Sequence, residues 1–326
     1  TWTVVVALVS LAGGLFALRS LFGEGTLRGA YYRPLSANAS DNWDILTSTW
    51  LPAGLGASGP TDLLARVGAL IPVSGASVSA WILLTGIALS AIAAWYASGT
   101  ITRSIVVRVL ATLVWVLSPA FVSAVLEGRW PLMLLGVAVP LAGLFFARAV
   151  GLPHKVSQAS IPAAAMAGFM VATISLVQGA LAVLFLLGAA FVAPLVPGRR
   201  TRLWWVVLPT LFLHLGALPD YLARPETLLV NAGMPLAFET PETVRLLALT
   251  PASGDPVARM LGVSPSWWTF LALLVPVLIA VIATLGSVFL RHTAGVVGRV
   301  SALALAGAVA LAWVSQRTVV GFDGPV

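Results

Sequence analysis

Asp41 and Asp44 are the pair of side chains in this chain best suited to chemistry. Carboxylates three residues apart share one face of a helix. At a membrane surface such a carboxylate can act as general base and take the proton from a sugar hydroxyl. Helix capping explains the same pair: Asp41 as N-cap and Asp44 in the first turn, both favoured by the helix dipole. Arg28 and Arg33 flank Tyr31 and Tyr32 in the same segment. Arginine grips a phosphate at two points, and tyrosine suits a lipid interface, where both residues also serve as plain anchors. Glu127 and Arg129, followed by Trp130-Pro131, offer an acid and a cation at a turn, or a local ion pair beside a helix start. Asp220, Tyr221 and Arg224 follow an apolar run that contains His214. A histidine inside such a run marks a site, or makes a buried hydrogen bond. Gln178 reads as a turn residue. The glycine-rich stretch Trp50 to Pro60 would let backbone approach a headgroup closely, or form a surface turn.

These groups need a scaffold, and composition says what kind. The chain is 59% hydrophobic and 9% charged. Soluble domains carry roughly 25% charged residues. With a mean hydropathy of +1.00, lipid must cover most of the outside. The net charge of +7 would suggest nucleic acid in a soluble protein. No basic stripe with interleaved aromatics is present, so no nucleic-acid partner is expected. The absence of cysteine removes disulfides and thiolate chemistry. His154, His214 and His292 have no metal-ligand spacing, and no metal site is predicted. Phosphate loops, nucleophile elbows and zinc signatures are absent. The chain begins inside an apolar run without methionine and reads as a piece of a longer protein.

The predicted fold is all-α: a polytopic transmembrane bundle of about nine spans, forming one domain over residues 1–326. The spans are 2–18, 79–97, 105–126, 132–147, 160–176, 180–195, 203–218, 267–290 and 300–314. The fifth and sixth form a tight hairpin or a re-entrant element. One set of loops holds Arg103, Arg108, Arg148, Lys155, Arg199, Arg200, Arg202, Arg291 and Arg299 and no acid. The alternate set holds all 11 acids. By the positive-inside rule the basic loops are cytoplasmic, so the N-terminus lies inside the plasma membrane and the C-terminus outside. Two extracytoplasmic loops, 19–78 and 219–266, are too long to be simple connectors. Their apolar content and helix-starting signals predict short helices packed on each other over the bundle mouth.

The run Asp41-Asn42-Trp43-Asp44, then Trp50, then Gly54-Leu55-Gly56-Ala57-Ser58 and Pro60, resembles the start of the membrane region of large actinobacterial family 2 glycosyltransferases. Further likenesses are Arg108-Val109-Leu110-Ala111, Gly128-Arg129 and Thr250-Pro251-Ala252-Ser253-Gly254. Leu51 departs from the pattern, which has histidine there. The resemblance implies a cell-envelope glycosyltransferase handling a polyprenyl-phosphate-linked sugar or a cell-wall glycan. A cytoplasmic transferase domain would belong to the same full-length chain. By analogy with lipid-linked-sugar transferases of the GT-C kind, Asp41 or Asp44 would be the catalytic base. Arg28, Arg33, Glu127, Arg129, Asp220 and Arg224 would bind the substrate or its lipid phosphate. The cofactor is not specified; a divalent cation is compatible with such chemistry. The alternatives are a non-catalytic membrane module, a translocator of lipid-linked glycan, and a small-molecule transporter. The near absence of ionisable groups within the spans argues against ion-coupled transport.

Overall fold

The computed structural model describes residues 2–17, 19, 75–126, 130–150, 161–177, 179–192, 200–223, 307 and 310. Of these, 96% are helical and none lies in a strand, so the described part is all-α. The helices are α1 (Trp2–Ala17), α2 (Gly75–Ile101), α3 (Ile105–Val116), α4 (Pro119–Leu126), α5 (Trp130–Val150), α6 (Ile161–Val177), α7 (Gly179–Val192), α8 (Arg200–His214) and α9 (Leu218–Ala223). A 3-10 turn, Leu215–Ala217, joins the last two. Two segments, Trp81–Thr100 and Trp130–Val150, are long and apolar enough to cross a membrane. The expected spans 267–290 and 300–314 lie outside the described residues, apart from Gly307 and Ala310, which are helical. The long loops 19–78 and 219–266 lie outside them too, except for their ends.

The third expected span is two helices. Pro119 has no N–H for the Trp115 carbonyl, and it disfavours helical geometry at Ser118. The chain closes α3 with Leu117 N–H donating to the Leu113 oxygen at 2.8 Å. It then restarts with Pro119 as the first residue of α4. The seventh span likewise stops at His214. The fifth and sixth are separate helices on either side of residue 178, in contact with one another.

Contacts across the helices set their directions. Trp95 Nε1 donates to Thr3 Oγ1 at 3.2 Å, and Gly14 packs on Ile87, so α1 and α2 are antiparallel. Arg108 meets Trp95 and Trp115 meets Ser90, so α3 also runs against α2. Gly86 packs on Met133 and Ser90 bonds Gly136, so α5 runs parallel to α2. This gathers Arg103, Arg108 and Arg148 at one end and leaves Arg19 at the other. On the other side of α5 packs α6, which also contacts α7 and α8.

Alanine is the most frequent residue of the interior. Ala142, Ala164 and Ala167 are fully buried, with Ala91, Ala124, Ala149 and Ala182 nearly so. Many large apolar side chains point outward, with Val9 66% exposed, Phe212 71% and Leu222 77%, while Met133, Ile174, Leu83 and Trp95 are buried. In α3, Thr112 is buried while Val106, Val107, Leu110, Leu113 and Val114 are exposed.

Prolines inside helices determine the polar contacts. Pro140 in α5 cannot donate to the Gly136 carbonyl, which lies one turn earlier. Ser90 of α2 donates its hydroxyl to that oxygen at 3.0 Å. The indole N–H of Trp115 donates to it at 2.8 Å and to Ser90 Oγ at 3.1 Å. Three helices therefore meet on one freed carbonyl. The pair Ser90→Ala with Trp115→Phe strips both donors and should cost about 1–3 kcal/mol. In a Pro140→Ala background the helix satisfies the carbonyl itself, and the same pair should cost less. Thermal unfolding of the purified protein in mild detergent measures this coupling. Equal costs in the two backgrounds would contradict it.

Candidate functional site

Of the eight residues singled out for catalysis or binding, Asp41, Asp44, Arg28, Arg33, Glu127, Arg129 and Arg224 lie outside the described residues. Asp220 is in α9, in the segment that follows α8. The described part of the site is therefore the end of α8 and the short helix after it.

Two neighbours of Asp220 are brought together there. His214 ends α8, and Tyr221 lies in α9. Seven residues apart in one continuous helix, they would be about 10 Å apart along the axis. The 3-10 turn between them folds the chain back. His214 Nδ1 and the Tyr221 hydroxyl are 2.9 Å apart, and the rings are tilted at 48° with centroids 5.5 Å apart. The histidine thus makes a hydrogen bond, partly buried, rather than standing alone. Its second ring nitrogen, Nε2, is buried and has no hydrogen-bond partner. One turn earlier on the same face is Thr210, 6% exposed, whose Oγ1 also lacks a partner. The residue types in the sequence hint at this pair through their four-residue spacing.

The α6–α8 seam positions this face. Pro209 frees the Trp205 carbonyl as Pro140 frees that of Gly136. Gly168 of α6 sits directly against the Trp205 oxygen and the Pro209 ring, and a side chain there would collide with both. Glycine is thus required for the approach of the two helices, not for a special backbone angle. Thr210 follows immediately at this crossing.

At the basic end, Arg108 is held in place. Its guanidinium carbon lies 3.9 Å from the centroid of the buried Trp95 ring, and Nη2 donates to the Trp95 carbonyl at 2.9 Å. Gly99 leaves room for it, since a Cβ there would be 3.0 Å from Nη2. A cation over an indole face, sheltered from water, is held by the ring quadrupole. Arg108 therefore joins α2 to α3, while Arg103 and Arg148 are exposed beside it. The sequence marks Arg108 as a loop charge and gives no signal of this role.

Among the described residues, no group of three or more His, Asp or Glu is placed to hold a metal ion. Comparison of the chain with protein-family models, with curated proteins and with solved structures finds no match.

Proposed function

We propose that the chain is the membrane-embedded part of a cell-envelope glycosyltransferase that handles a polyprenyl-phosphate-linked sugar or a cell-wall glycan. The observation that carries the membrane half of this reading is the extensive exposed apolar surface. Alanine is the most frequent buried residue, and many large apolar side chains are exposed on the outside. That arrangement suits a bundle of about nine spans in lipid. Arg103, Arg108 and Arg148 share one end, which the positive-inside rule assigns to the cytoplasm. The N-terminus is then inside, and Arg19 and the loops 19–78 and 219–266 are outside.

The transferase half rests on the resemblance carried by Asp41 to Pro60 and on the chemistry of the outer loops. In this reading Asp41 or Asp44 deprotonates the acceptor hydroxyl. Arg28, Arg33 and Arg129 stabilise the departing phosphate. Glu127, Asp220 and Arg224 line the same outer face.

The test is transfer of radiolabelled sugar from a polyprenyl-phosphate donor by the purified chain in liposomes. Labelled product dependent on the protein is expected. Donor binding without transfer would replace this reading with that of a non-catalytic module that holds or moves a lipid-linked product.

A further inference from the structure

We propose that Thr210 and His214 form a buried binding site for a neutral hydroxyl group of a ligand, and that this ligand is a sugar. The proposal deepens the reading above, since it assigns the sugar part of the substrate to the α8 face.

The argument begins with what threonine does elsewhere in the chain. Thr85, Thr112 and Thr173 each donate their hydroxyl to the carbonyl four residues back, at 2.6, 2.9 and 2.9 Å. A helical threonine in an apolar setting satisfies itself in this way. Thr210 has the same option at Val206 and does not take it; its Oγ1 is buried without a partner. The hydroxyl is thus free for something outside its own helix.

His214 supplies the second contact. It sits one turn on, so its Cβ lies about 5–6 Å from that of Thr210. Tyr221 occupies Nδ1 and fixes the ring, and Nε2 projects from the opposite side of the imidazole. That nitrogen is buried and unpartnered as well. Buried polar atoms are nearly always hydrogen-bonded, so two orphans on adjacent turns of one face call for a shared partner.

The chemistry of the pair selects that partner. A threonine hydroxyl donates and accepts; the free nitrogen of a neutral imidazole does one or the other, according to the tautomer Tyr221 imposes. A hydroxyl group matches both. A phosphate in so apolar a place would need a cation. On α8 the next cation toward the start, Arg202, is about 12 Å from Thr210 and about 18 Å from His214 along the axis. The site therefore fits the sugar and not the lipid phosphate.

The experiment uses the full chain in lipid nanodiscs. Two probes are titrated: a farnesyl-phosphate hexose and octyl β-glucoside below its micellar concentration, with farnesyl phosphate as the sugar-free control. Thr210→Val keeps the shape and removes the hydroxyl. It should leave the melting temperature unchanged or raise it, because no protein contact is lost. It should weaken binding of both sugar probes by roughly five- to tenfold, the worth of one neutral hydrogen bond. Affinity for farnesyl phosphate should not move. His214→Phe should lower sugar affinity similarly. If octyl glucoside shows the loss while the wild-type chain ignores the farnesyl-phosphate hexose, the hydroxyl site stands and the lipid-linked-donor reading falls. The proposal is overturned if Thr210→Val binds both probes as the wild type does, which would mean a bound water only. It is overturned equally if the variant loses several degrees of stability, which would show the hydroxyl bonded within the protein.

Discussion

Gly168→Ala will lower the stability of the purified protein by about 1–3 kcal/mol, and Gly168→Leu will prevent recovery of folded protein. The added Cβ meets the Trp205 carbonyl oxygen and the Pro209 ring, whose Cγ and Cδ would lie at 2.9 and 3.0 Å. Neither can rotate away: one is backbone, and the other is closed onto it. The helices α6 and α8 must separate, and the buried Ala164, Ala167, Val171 and Val206 lose their packing with them. Gly143 is the matched control. A Cβ there meets nothing within 4 Å. Because glycine in a helix costs about 1 kcal/mol relative to alanine, Gly143→Ala should be neutral or stabilising. Thermal unfolding in detergent distinguishes the two. Equal behaviour of the two variants would remove the α6–α8 crossing from this account.

On the proposed transferase reading, Asp→Asn at whichever of Asp41 and Asp44 is the base will reduce transfer from a lipid-linked sugar by roughly a hundredfold or more. Asparagine keeps the size of the side chain and can still cap a helix, so folding and insertion should persist. What it loses is the ability to take a proton. The departing phosphate still needs its cation, so Arg28→Gln, Arg33→Gln or Arg129→Gln should separately slow the reaction. Normal transfer by both Asn variants would make the pair structural and favour the accessory-module reading.

Much of the helical layout is legible in the sequence, because long apolar runs leave few other structures available. Where such a run contains a break, apolarity hides it. Ser118-Pro119 interrupts the expected span 105–126, although a proline preceded by serine is a boundary signal on its own. Which side of each helix faces inward is less legible. A helix that is apolar all round has no hydrophobic face to read. The usable signal is size: Ala164, Ala167, Val171 and Ser175 recur at three- and four-residue steps along the buried face of α6. Pro140 and Pro209 announce that a carbonyl is freed, but not that Ser90 and Trp115 answer one and Gly168 admits the other. The His214–Tyr221 contact depends on a 3-10 turn that a continuous-helix reading excludes. The acids on which the proposed catalysis rests, Asp41 and Asp44, lie outside the described residues, so their place in the site comes from sequence alone.

The central claim is that this bundle sits in lipid with its basic end in the cytoplasm. The chain has no cysteine, so each introduced cysteine is the sole thiol. Exposed positions of two kinds are available: Arg19, Arg103 and Arg148 at the ends, and Val9 and Phe212 on the large apolar faces. Single-cysteine variants at these positions are treated in intact cells with a membrane-impermeant maleimide. The account predicts labelling at position 19 from outside, labelling at 103 and 148 after the membrane is opened, and none at 9 or 212 in either case. Ready labelling at 9 and 212 from water, or labelling of 103 and 148 in intact cells, would contradict it.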